Sequence, residues 1–129
     1  MNFIPATVSE ENSTVSVQTS GFKISLPDEM GAKAKASNAK DFIFGVRPED
    51  ITKKGMGEAT ATMSEPMTAL VNVIETLGKE TFLDITTGDD NIKAIVSPNI
   101  KVKREENINL EINMDKVHLF KKEDGQAIF

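Results

Sequence analysis

Residues 107–114 read Asn-Ile-Asn-Leu-Glu-Ile-Asn-Met, polar and apolar in strict alternation. Successive side chains of a strand point to opposite faces, so this period places Ile108, Leu110, Ile112 and Met114 together on one core face. The same period of two recurs at Phe22, Ile24 and Leu26, at Val15 and Val17, and at Ile92, Ala94 and Val96. Two further runs, 41–46 and 69–77, are more uniformly apolar and predict strands buried on both faces, or on one face and against a partner. Turn residues punctuate the runs. Residues 10–13 separate the first two strands. Thr19-Ser20-Gly21 suits a short hairpin with Gly at positive φ, and Gly78-Lys79, Gly88-Asp89-Asp90-Asn91 and Asp115-Lys116 follow. Asp124-Gly125 is a type I′ hairpin signal between 119–122 and 127–129. About ten short strands at this spacing predict an all-β chain, a sandwich or a small barrel.

One short helix is expected over 28–37. Ser25-Leu26-Pro27-Asp28 offers a capping-box-like start, Asp28 and Glu29 suit the positive end of the macrodipole, and Lys33 and Lys35 suit the negative end. Ala32, Ala34 and Ala36 favour helix, while Gly31 weakens it. Residues 52–66 hold two Gly, several Thr and other small residues before Pro66. They read as a segment linking two β halves, about 1–51 and 67–129.

Composition narrows the chemistry. The 129 residues allow one ordinary domain. With no Cys, neither a thiolate zinc site nor a disulfide framework can form. A nucleophilic triad would have to be built around the single His, His118, which lies in an apolar stretch with no partner residues nearby in sequence and reads as structural. A net charge of −5 opposes general nucleic-acid binding, because phosphate affinity comes largely from Lys and Arg. Phe42 and Phe44 would be the stacking face of an OB-type single-strand binder, but Phe at i and i+2 of a strand reads as core. No apolar run approaches the roughly 18 residues of a membrane span, and no secretory signal opens the chain, so a soluble intracellular protein is expected. Asn12-Ser13-Thr14 therefore reads as a polar turn rather than a glycosylation site.

Catalytic motifs are missing. Gly55-Met56-Gly57 is too short for a phosphate loop, with neither a Lys nor a helix start after it, and no dinucleotide fingerprint follows a strand. The carboxylate pairs Glu10-Glu11, Glu49-Asp50, Asp89-Asp90 and Glu105-Glu106 are adjacent residues, which a strand sends to opposite faces. Asp89-Asp90-Asn91 lacks the alternating oxygen ligands of a calcium loop. Lys101-Val102-Lys103-Arg104, followed at once by two Glu, reads as a solvated loop with an unspecific anion contact as the other reading.

The segment Phe42-Ile43-Phe44-Gly45-Val46-Arg47-Pro48-Glu49-Asp50-Ile51 carries a resemblance. Its core, Gly-Val-Arg-Pro-Glu-Asp, resembles the signature in the C-terminal domain of MalK-type ATP-binding subunits of carbohydrate ABC importers. Three more stretches match in order: Met1-Asn2-Phe3-Ile4-Pro5-Ala6 at the opening, Val73-Ile74-Glu75-Thr76-Leu77-Gly78-Lys79-Glu80-Thr81 at the start of the TOBE half, and Val117-His118-Leu119-Phe120 with Asp124-Gly125 at the end. Read physically, Gly45 lets its strand pass close to a neighbour, and Pro48 fixes φ and ends the strand. Arg47 and Glu49 flank the corner and either tie it to neighbouring backbone or make charge-assisted bonds. A structural corner is the preferred reading over a ligand site. Gly45, Arg47, Pro48, Glu49, Gly78 and His118 are thus structural or interface candidates. The chain departs from the family at Arg104-Glu105-Glu106-Asn107, where relatives place a Gly before the penultimate long strand.

The resemblance implies an OB-like or MOP-like all-β regulatory and dimerisation domain without catalysis. It implies no catalytic, cofactor or metal residue in this segment, with ATP and Mg held only by a preceding ATPase domain. It also implies a homodimer through the same domain, a possible regulatory protein partner, no nucleic acid, and a cytoplasmic place with membrane contact only through transporter subunits. The alternatives are a MOP-like module for small oxyanions and, below it, an OB-fold nucleic-acid binder.

Overall fold

The computed structural model describes residues 1–57 and 59–129; position 58, within the linking segment read from the sequence, lies outside the described residues. Among the described residues, ten strands form two five-stranded antiparallel sheets. The first contains β1 (Asn2–Glu11), β2 (Thr14–Gln18), β3 (Lys23–Ser25), β4 (Asp41–Val46) and β10 (His118–Lys121), in the order β10-β4-β1-β2-β3. The second contains β5 (Ile51–Lys53), β6 (Met67–Leu77), β7 (Glu80–Thr87), β8 (Asp90–Val96) and β9 (Asn107–Ile112), in the order β5-β9-β6-β7-β8. Its two end strands, β5 and β8, come into contact, so this sheet curls into a half-barrel.

Alternation set the core as expected. Ile108, Leu110, Ile112 and Met114 are all buried, as are Phe22, Ile24, Leu26, Val15, Val17, Ile92, Ala94 and Val96. They join one cluster with Ile4, Phe44 and Leu119 of the first sheet and Val71 and Ile85 of the second. Phe42 and Phe44 belong to this core and present no stacking face. β6 differs from the expectation of burial throughout. A bulge between Val71 and Val73 shifts its phase, and Val73 and Leu77 emerge half exposed.

The turns bring further corrections. Asn12 and Ser13, at φ 50° and 67°, close β1 onto β2 as a two-residue turn of the I′ kind. Gly21 lies outside the positive-φ region; it is required by its close approach to Thr87 and Gly88. Asp124-Gly125 is not a two-residue turn: Lys121 N–H reaches Gln126 O at 2.9 Å, and only Gly125 of the pair has positive φ. Helix α1 (Asp28–Ala36) forms where expected, but Pro27 is its N-cap and no side chain caps it. Ser25 is engaged instead by Glu65, whose carboxylate accepts from Ser25 Oγ at 2.7 Å and Ser25 N–H at 3.1 Å. Gly31 has a packing role, since a Cβ there would stand 3.0 Å from Val15 Cβ where α1 lies on β2.

The sheets interlock. Thr52 and Lys53, the first two residues of the stretch read as linking, continue from Ile51 as strand β5 of the second sheet, with Ile51 opposite Ile112. β10 returns to the first sheet beside β4. The buried Asn2 carboxamide takes the place of a strand partner for β8, accepting from Lys93 N–H at 2.9 Å and donating to Lys93 O at 2.8 Å. No helix among the described residues is long and apolar enough to cross a membrane.

Candidate functional site

The outer face of β10-β4-β1 gathers much of what the motif analysis singled out. Register places Gly45 between Phe3 and His118 on the two flanking strands. A Cβ at Gly45 would stand 3.0 Å from both Met1 Sδ and Phe120 Cε2, and 3.6 Å from His118 Cβ. Glycine therefore leaves a hollow over which three side chains close. Phe3 and Phe120 pack with centroids 6.1 Å apart at 58°, and His118 stacks on Phe120 at 6.1 Å and 30°. His118 Nδ1 lies 3.3 Å from Phe129 O. Phe3 is 63% exposed and Met1 46%, so the cluster is an apolar surface.

Arg47 and Glu49 point to solvent, and neither side chain has a bonded partner among the described residues. The corner is tied through main chain: Asp50 N–H donates to Arg47 O at 2.9 Å and Asn113 N–H donates to Asp50 O at 2.9 Å. Pro48 starts a 3-10 turn, Pro48–Asp50, directly after β4. Gly78, at φ 61°, lies at the tip of the β6–β7 hairpin with nothing within 4 Å of a would-be Cβ, away from the Gly45 cluster. Thus Gly45 and His118 come together, Arg47, Pro48 and Glu49 adjoin in chain, and Gly78 stands apart. Met1, Phe3 and Phe120 were missed as surface partners. The outward phase of β1, where Phe3 and Pro5 alternate with buried Ile4 and Ala6, is the signal that marks Phe3.

Glu105, in the loop that leads into β9, has φ 63°. The loop thus holds a left-handed position with a side chain that tolerates it poorly. Among charged groups, burial pushes the Glu65 carboxyl upward, but its bonds from Ser25 Oγ and backbone N–H outweigh burial and hold it below its ordinary 4.5. Among the described residues no group of three or more His, Cys, Asp or Glu side chains is placed to hold a metal.

Residues 1–51 match the MalK OB fold domain and residues 67–119 match the TOBE domain. The chain is 27% identical to the trehalose/maltose import ATP-binding protein MalK of Thermococcus litoralis, over all of this chain and 34% of that protein. It is 31% identical to the multiple sugar-binding transport ATP-binding protein MsmK of Streptococcus mutans, over 99% of this chain and 33% of that one. The chain thus spans about a third of the length of these curated relatives. In fold it resembles the cytoplasmic molybdate-binding protein ModG, with a TM-score of 0.64 at 18% identity, covering 92% of this chain and 94% of that one. The chain belongs to the MalK OB-fold and TOBE domain family, the paired β domains of MalK-type ABC ATP-binding proteins.

Proposed function

We propose that this chain is the C-terminal regulatory domain of the ATP-binding subunit of a sugar ABC importer, and that two copies pair through the outer face of the first sheet. The observation that carries the pairing is the apolar cluster of exposed Met1 and Phe3 with half-buried Phe120 over the Gly45 hollow. A two-fold pairing is isologous, so each exposed group is buried twice. Phe3, 63% exposed, then contributes about 2–4 kcal/mol in total, from roughly 1.5–3 kcal/mol per fully buried aromatic. In this reading ATP and Mg belong to a separate ATPase domain, and this domain supplies association and a docking place for regulatory protein. Its location is cytoplasmic, and it meets the membrane only through transporter subunits.

Sedimentation velocity over a concentration series tests the pairing. The chain is expected to form a reversible dimer, and Phe3→Glu to sediment as a monomer with an unchanged circular dichroism spectrum and melting curve. A wild-type chain that stays monomeric at the highest concentration, or a Phe3→Glu chain that dimerises equally well, would refute it.

A further inference from the structure

The β6 strand is longer than the sheet around it. β9 pairs with it only from Met67 to Leu70. Val71 is still bonded on that side, donating to Glu106 O at 2.9 Å and accepting from Glu105 N–H at 2.7 Å. Beyond the bulge, β6 pairs only with β7 among the described residues. The two-residue turn at Gly78-Lys79 makes Leu77 and Glu80 the bonded closing pair. Alternation back along the strand then turns the N–H and C=O of Ile74 and Thr76 away from β7. Two further observations agree with this orientation. The Thr76 and Thr81 hydroxyls approach to 3.2 Å, as side chains of a non-bonded pair do, and Arg104 Nε donates to Asn72 O at 3.3 Å on the open side.

This open edge faces the loop at 98–103 across a cleft of about 560 Å³. Ile74, Ile100 and Val102 supply apolar lining, and Lys101 and Lys103 supply positive charge, with Glu106 the one acidic side chain lining it among the described residues. Neither lysine nor the adjoining Arg104 joins an ion pair among the described residues, in a chain whose net charge is −5. An edge strand with alternating apolar sites beneath it takes an extended peptide as an added strand, with main-chain bonds for affinity and side-chain sites for selection. The cationic rim selects acidic residues.

We infer that the free edge of β6 at Ile74 and Thr76 accepts an extended acidic segment of another protein, which adds as a strand beside β6 with its carboxylates toward Lys101 and Lys103. This interaction is separate from the pairing of copies through the first sheet, so Phe3→Glu should leave it intact.

The probe is a fluorescein-labelled peptide of about eight residues that alternates Glu and Val, the length of an ordinary strand, with a Lys/Val peptide as control. Titrated into the 129-residue chain, the acidic peptide should bind and the basic one should not. Reversing both lysines, Lys101→Glu with Lys103→Glu, should weaken binding about tenfold or more, and added salt should weaken it in the wild type. Amide NMR should show the Ile74 and Thr76 N–H groups shifting and gaining exchange protection. Absence of binding, equal binding of both peptides, or binding that leaves these two amides unmoved would overturn the inference. If the double reversal abolished self-association while the peptide failed to bind, the edge would belong to a second copy, which also overturns it.

Discussion

The 19–21 and 87–90 turns, one from each sheet, meet through glycine. A Cβ on Gly21 would fall inside contact distance of Thr87 Oγ1 and Thr87 backbone carbon, and 2.5 Å from Gly88 N. A Cβ on Gly88, at φ 60°, would stand 2.5 Å from Gly21 N and from Ser20 Oγ. Most of these neighbours are backbone, so neither turn yields by a side-chain rotation. Substitution of Gly21 by Ala must part the turns by about an ångström. That displaces Ser20 Oγ from Asp89 N–H at 2.8 Å and from Asp90 Oδ2 at 3.0 Å. Overpacking costs about 1–3 kcal/mol, and two solvent-accessible hydrogen bonds add roughly 0.5–1 kcal/mol each. Gly21→Ala is thus expected to cost about 2–5 kcal/mol, which lowers the melting temperature by roughly 7–18 °C at this chain length. Gly88→Ala adds left-handed strain of about 1 kcal/mol and should cost more. Gly78→Ala is the control: it has positive φ but open space, and only the strain of about 1 kcal/mol is expected. Urea unfolding followed by circular dichroism measures all three. A loss below 1 kcal/mol at Gly21, or equal losses at Gly21 and Gly78, would refute steric interlocking of the two sheets.

Two further predictions concern single residues outside the interlock. The Glu65 carboxyl titrates below its ordinary value when folded, so its bonds to Ser25 stabilise fully above the unfolded pKa and are lost as pH falls through the folded one. Urea midpoints of wild type and Glu65→Gln should therefore differ at neutral pH and converge under acid, and a gap that persists or widens under acid contradicts the assignment. Glu105→Gly should raise stability by roughly 0.5–1 kcal/mol, because relief of the φ 63° strain exceeds the added unfolded-state entropy; a destabilised variant in the same assay would mean that the Glu105 side chain carries an unrecognised contact.

The strands with unbroken alternation were legible because their signal is local. Ile108, Leu110 and Ile112 need only their own period to declare a face, and each is buried. β5 was not legible, since Ile51-Thr52-Lys53 is too short to show a period and owes its existence to pairing with residues 110–112. The bulge in β6 was hidden for a related reason. A run that reads Val71-Asn72-Val73-Ile74 is apolar enough to fit either phase, and only the register against β7 reveals which side Val73 takes. Gly21 looked like a turn glycine because turn chemistry is written locally, whereas its true constraint comes from Thr87 and Gly88 on the other sheet. Within the candidate site, Gly45 and His118 were marked by motif, but the hollow between them is a property of three strands in register.

The exchange of strands bears on how such a domain can carry a signal. β5 follows the β4 corner in chain yet pairs in the second sheet, β10 ends the second half yet pairs in the first, and Asn2 joins β1 to β8 through two hydrogen bonds. Each sheet is therefore completed by a strand from the other half of the chain. A hinge between the halves would have to break pairings on both sides at once, together with the Gly21–Gly88 contact. Transmission through a two-state element inside this domain is unfavourable on those grounds, and the interlock favours motion as one rigid body.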